Sequence, residues 1–183
     1  MQLAQRARSL AQEHNDAALS LGACRALAAT LFHLGDFDAA RQHAVEGLQI
    51  WRAGGAQSYV EELHSPAIVC LCYLALSEWH LGEISASHRT MTEAIVLAKE
   101  LDDLYGLANA LFWAAVLAQM GRQVLEAERL ASELIELAVR QNFGKRRAPG
   151  EILRAWARSL RGANRTESIF VLRAESEQSD SLW

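Results

Sequence analysis

Residues 31–40 read L-F-H-L-G-D-F-D-A-A. An apolar helical run stops at Gly35, and a new helix opens on Asp36 and Asp38 before turning apolar at Ala39 and Ala40. Glycine enters the left-handed backbone region at little cost, which suits the position just past a helix end. Acidic side chains suit the positive N-terminal end of the helix that follows. The phrase recurs. Residues 79–86 read W-H-L-G-E-I-S-A, residues 117–127 read L-A-Q-M-G-R-Q-V-L-E-A, and residues 159–168 carry a fainter copy, S-L-R-G-A-N-R-T-E-S. Helix, glycine and helix, repeated, mark an array of helical hairpins.

The fold class expected from this pattern is all-α, a tetratricopeptide-like α-solenoid of about four antiparallel helix hairpins. The turn glycines Gly35, Gly82, Gly121 and Gly162 are 47, 39 and 41 residues apart. A tetratricopeptide unit has about 34 residues and HEAT or armadillo units about 40–47. Length favours the latter and register the former, because G-[DE]-x-x-x-A stands at residues 35–40 and, with a final Ser, at 82–87. Working outward, hairpins are expected at about 16–53, 66–101, 104–142 and 149–177, after a short amphipathic helix over 2–13. One helical-repeat domain over 1–175 then ends in a frayed tail at 176–183. Asn15 and Asp16 are good N-caps, Ser65-Pro66 restarts a helix with proline in its first turn, and Asp102-Asp103 cap the next. Residues 66–81 form the most apolar helix, expected at the centre. Residues 54–65 read as an irregular connection and residues 143–150 (F-G-K-R-R-A-P-G) as a basic loop.

Composition agrees. The 183 residues are 51% hydrophobic and 22% charged, with only two prolines, an ordinary helical and globular balance. The longest apolar run, residues 67–76, is about half of the roughly 20 residues that a membrane span needs. Cys24, Cys70 and Cys72 lie among apolar neighbours in expected helices, which reads as reduced core thiols in a cytoplasmic protein. The net charge of −4 is uneven: residues 1–139 hold 9 basic and 17 acidic side chains, residues 140–173 hold 9 and 2.

The phrases at 26–40, 69–82, 107–118 and 152–157 (I-L-R-A-W-A) together resemble the tetratricopeptide-like tail of large bacterial signalling proteins. Those proteins join a nucleotide cyclase or kinase domain to an AAA-type ATPase followed by helical repeats. The likeness runs from about residue 8 to residue 173. It implies a regulatory role and an ATPase or cyclase module as partner. Two departures stand out: there is no G-x-x-x-x-G-K-[ST] phosphate loop, and Lys145-Arg146-Arg147 replaces an apolar stretch of that family.

Signatures of chemistry are lacking. There is no G-x-S-x-G, and the paired carboxylates Glu61-Glu62 and Asp102-Asp103 read as loop charges and caps. No two histidines show the i,i+4 spacing of a helical metal site, and Cys70 and Cys72, two apart on a helix, point about 200° from each other. No metal, cofactor or enzymatic activity is expected. A binding reading is left. In stacked hairpins the first helix of each pair lines the concave side, which puts Arg25, Phe32 and His33 there from the first hairpin, Cys72, Trp79 and His80 from the second, Gln119 from the third and Arg158 from the fourth. Aromatic rings mixed with Arg and His suit a peptide or a partner helix. The alternative for Phe32 and Trp79 is that they seal hairpin to hairpin. Two other readings stand beside the protein-interaction scaffold: a sensor or oligomerisation segment of an ATPase or cyclase regulator, with open ends that admit a homodimer, and nucleic-acid binding by a basic patch of Lys145, Arg146, Arg147, Arg154 and Arg161. The scarcity of aromatic stacking partners near that patch and a pI near 5.9 disfavour nucleic acid.

Overall fold

The computed structural model describes residues 16–54 and 65–180, with Arg6, Ser9 and His14 described singly and side chains given as far as Gly162. The expected helix at 2–13, most of the connection at 54–65 and the last three residues lie outside the described residues. Every regular element among those described is a helix: α1 (Ala17–His33), α2 (Phe37–Arg52), α3 (Pro66–His80), α4 (Ile84–Glu100), α5 (Leu104–Met120), α6 (Val124–Arg140) and α7 (Gly144–Asp180). None of them is long and apolar enough to cross a membrane. The chain forms two compact units that divide between Ala114 and Ala115, inside α5.

One turn design explains the helix boundaries. After α1 the Gly35 N–H bonds Phe32 O and the Asp36 N–H reaches back to Leu31 O, both at 3.0 Å. This pair of bonds satisfies the carbonyls that a helix end leaves open, and it needs a left-handed residue at its apex. The same reach-back bond recurs from Glu83 to Glu78 O, Asp103 to Ala98 O, Gln123 to Ala118 O and Phe143 to Ala138 O, at 2.8–3.0 Å. The left-handed apices from the second hairpin on are Gly82, Asp102, Arg122 and Asn142, one every 20 residues. Seventeen-residue helices α4, α5 and α6 fill the intervals. Two such helices with their turns take 40 residues, longer than the roughly 34 of a tetratricopeptide unit.

Two expected turns differ from this. Gly121 is not the apex of its turn; Arg122 is, at φ 53°. Gly162 is no turn at all, because α7 runs through it as one 37-residue helix where a hairpin was expected. The basic stretch 144–150 is the start of that helix rather than a loop. Asn142 in the left-handed region and the Phe143 reach-back bond start α7, and Pro149 falls in its second turn, where its missing N–H forfeits one bond.

In the first unit α1 packs on α2, α3 on both of them, and α4 on α3. Residues 66–78 of α3, in the stretch expected at the centre, are buried without a break. Two glycines permit the close approaches. A Cβ on Gly47 of α2 would lie 2.9 Å from Cys70 Sγ and 3.2 Å from Cys24 Cβ, and one on Gly106 of α5 would lie 2.6 Å from Ile68 Cδ1. Asp103 ties two helix starts together. Its Oδ1 accepts from the Gly106 N–H at the head of α5, and its Oδ2 accepts from the Ser65 N–H at the head of α3, both at 2.7 Å. Asp16 and Asp36 cap α1 and α2 by accepting from Leu19 and Ala39 N–H. Outside, Arg41 pairs with Glu83 and Arg52 with Glu93, each at 2.8 Å, bridging α2 to the turn before α4 and to α4 itself.

In the second unit α6 packs on α7. Gly150, Leu153 and Ala157 are buried and make the stripe of α7 that spacing of three and four predicts. A Cβ on Gly150 would come within 2.9 Å of Ile135 Cγ1 of α6.

Candidate functional site

Among the described residues of the first unit, polar and aromatic groups gather where the helix ends meet. His33 is the last residue of α1 and His80 the last of α3, where a basic side chain favours the negative end of the helix dipole. Phe37 opens α2. Around Phe32 the ring centroids of His33, Phe37, Tyr73 and His80 lie 5.3–5.6 Å away, with interplanar angles of 55–82°. These are the tilted and edge-to-face arrangements that aromatic quadrupoles prefer. His80 stacks on Phe37 at 4.3 Å and 27°. Tyr73 continues the chain of rings to Trp113 at 5.8 Å, and Trp113 to Phe112 at 4.8 Å.

The two imidazoles are exposed while the rings beneath them are half-buried or buried. Hydrogen bonds orient both. His80 Nδ1 stands 2.8 Å from Leu76 O, and because a carbonyl only accepts, Nδ1 carries a proton and Nε2 is left to face a ligand. His33 Nε2 lies 3.3 Å from the Tyr73 hydroxyl. The result is an apolar ring floor edged by two imidazoles that can exchange hydrogen bonds with a ligand. Beside it on α3, burial holds the Glu78 carboxyl above the ordinary glutamate range. A Thr90 hydroxyl bond and the more distant Arg89 and Arg41 oppose that shift, while Glu83 adds to it. Among the described residues Glu78 Oε2 has no hydrogen-bond partner.

The residues expected to share a groove are distributed as follows. Phe32, His33 and His80 come together. Arg25 is half-buried two turns earlier on α1. Cys72 is fully buried, with the Asn109 amide 4.0 Å from its sulfur, so it cannot line an accessible surface. The spacing put it on a groove face because in α3 every face is covered, and periodicity cannot assign an outside to such a helix. Trp79 meets His88 of α4 edge-on at 5.8 Å, a contact between the two helices of its own hairpin. Gln119 and Arg158 belong to the second unit.

Within that unit Arg158 Nε donates to Glu128 Oε1 at 3.0 Å, and Arg161 Nη1 donates to Glu128 Oε2. These bonds hold the Glu128 carboxyl below the usual glutamate range. Arg147 pairs with Glu151. Lys145 is exposed, and Arg146 and Arg154 are half-buried. The patch thus sits beside carboxylates that compete with any phosphate for Arg147, Arg158 and Arg161.

Phe37, Tyr73 and Trp113 were not expected at the site. A signal existed for Tyr73, which precedes His80 by seven residues, two helical turns on one face. Trp113 carried none, since residues 104–120 are apolar on all sides. No protein-family model and no curated protein matches the sequence.

Proposed function

We propose that the protein is a non-catalytic interaction module of tetratricopeptide type, a helical-hairpin solenoid with a 40-residue unit, and that it binds a peptide or partner helix over the ring cluster of Phe32, Phe37, Tyr73 and His80. The observation that carries this reading is an aromatic floor with two exposed, oriented imidazoles contributed by the ends of α1 and α3 and the start of α2. Aromatic anchors in a partly desolvated patch supply most of the energy in such contacts, and the imidazoles supply direction. The resemblance to the repeat tails of bacterial cyclase and ATPase regulators makes a module of that kind the first partner to try.

Selection from a displayed peptide library tests the reading. Enriched peptides should bind the protein and lose at least about tenfold in affinity, or about 1.4 kcal/mol, to a His33→Ala, His80→Ala variant. They should bind an Arg52→Ala variant, altered elsewhere on the surface, as tightly as the parent. Peptides that bind the double variant equally well exclude this site.

A further inference from the structure

The geometry points to a second site, on the other side of the first hairpin: a transition-metal site built from Cys24, His43 and Glu46. Cys24 lies on α1, about half a turn around the helix from His33. His43 and Glu46 are three apart on α2 and so share a face. One donor atom from each residue, sulfur, nitrogen and oxygen, lies within 4.8 Å of the other two. His43 Nδ1 is 3.4 Å from Glu46 Oε2. The next residue after Glu46 is Gly47, and its missing side chain lets α2 come close enough to α1 for Cys24 to face this pair.

The donor set selects the ion. A thiolate, an imidazole and a carboxylate suit a borderline cation such as Zn²⁺ and disfavour Ca²⁺ or Mg²⁺, which take oxygen. Bond lengths of about 2.0–2.3 Å to a tetrahedral ion place ligand atoms about 3.3–3.8 Å apart, so rotation of the side chains by about 1 Å closes the set. Cys24 is 1% exposed and forms the floor. The His43 and Glu46 side chains, 20% and 37% exposed, face solvent and leave the fourth coordination position to water or a ligand. Binding replaces the Cys24 thiol proton by the metal, and that proton leaves to solvent. No oxidation or reduction is involved. With ligands from both helices, the ion would staple α1 to α2 and stabilise the hairpin by mass action. This site does not depend on the ring cluster.

Co²⁺ reports on it as a coloured substitute for Zn²⁺. Titration of the full reduced chain should give a sulfur-to-cobalt charge-transfer band that saturates at one ion per chain and is displaced by Zn²⁺, and Zn²⁺ alone should raise the thermal midpoint. Cys24→Ser should abolish the band, and His43→Gln should weaken binding by more than about tenfold, the loss that even an outer-sphere partner brings. Glu46→Gln, at a more exposed position where folding is insensitive, should weaken it too. The proposal is overturned by any one of three results: no band in the parent protein, a band that disappears in Cys70→Ser but persists in Cys24→Ser, or an affinity unchanged by both His43→Gln and Glu46→Gln.

Discussion

Glu78 and Glu128 place the same carboxyl group in opposite surroundings. Glu78 is pressed into the first unit, 9% exposed and with one oxygen lacking a partner among the described residues, and this burial raises its pKa in the folded state. A carboxyl whose folded pKa is raised adds stability below its unfolded pKa and loses it as pH rises through the folded value. Glu78→Gln should therefore raise the thermal midpoint at neutral and mildly alkaline pH and change little in acid. A thermal melt series across pH checks this, and equal effects at both ends would contradict it. Glu128 has the opposite sign: Arg161 and Arg158 favour its charge, so its contribution is present above the ordinary glutamate range and fades as pH falls through the lowered value. Neither residue stood out in the sequence. Glu78 follows twelve buried residues in its helix and looks like one more surface acid, and only the tertiary structure brings Thr90 of α4 against it.

Turns are decided at the scale of the element, and they make a sign test. Gly35 has φ +83° and Arg122 has φ +53° at equivalent apices, whereas Gly162 lies inside α7. A side chain in the left-handed region costs about 1–2 kcal/mol, and glycine inside a helix costs about 1 kcal/mol relative to alanine. Gly35→Ala should then destabilise by about 1 kcal/mol, while Arg122→Gly should stabilise by about 0.5–1 kcal/mol. Gly162→Ala should raise helicity and stability; a loss there would restore the turn that the S-L-R-G-A-N phrase suggests. Urea midpoints and far-ultraviolet circular dichroism read all three. The phrase at residues 31–40 made the first hairpin legible because Gly35, Asp36 and Asp38 all act locally, through backbone conformation and capping. It misled at residues 159–168 because a glycine permits a turn without requiring one, and α7 continues through Gly162. Helix boundaries at 102 and 142 were legible for a different reason, since Asp and Asn tolerate the left-handed region.

For the whole molecule, α3 is the element that the others in its unit are built on, buried from residue 66 through 78 and packed on α1, α2 and α4. Its amides should be the slowest to exchange with deuterated solvent, because they open only when the unit unfolds. Exchange in α3 as fast as in the outer helix α4 would show that the core lies elsewhere. The all-helical class of the described residues and the order of their helices from residue 16 to residue 142 were determined by the sequence itself, through glycine and aspartate at helix ends and apolar spacing of three and four, all of which act over a few residues. The central place of residues 66–81 was also written there, as an apolar surplus that only full coverage can satisfy. Contacts between residues distant in sequence were not. Cys72 reads the same whether it faces a groove or Asn109, Trp79 the same whether it faces Phe32 or His88, and Cys24 gives no sign that His43 and Glu46 stand beside it. Those pairings depend on how far one helix is rotated and shifted against the next, which close approaches at Gly47 and Gly106 set. Only the tertiary structure decided them, because side-chain packing between helices fixes that rotation and no local rule encodes it.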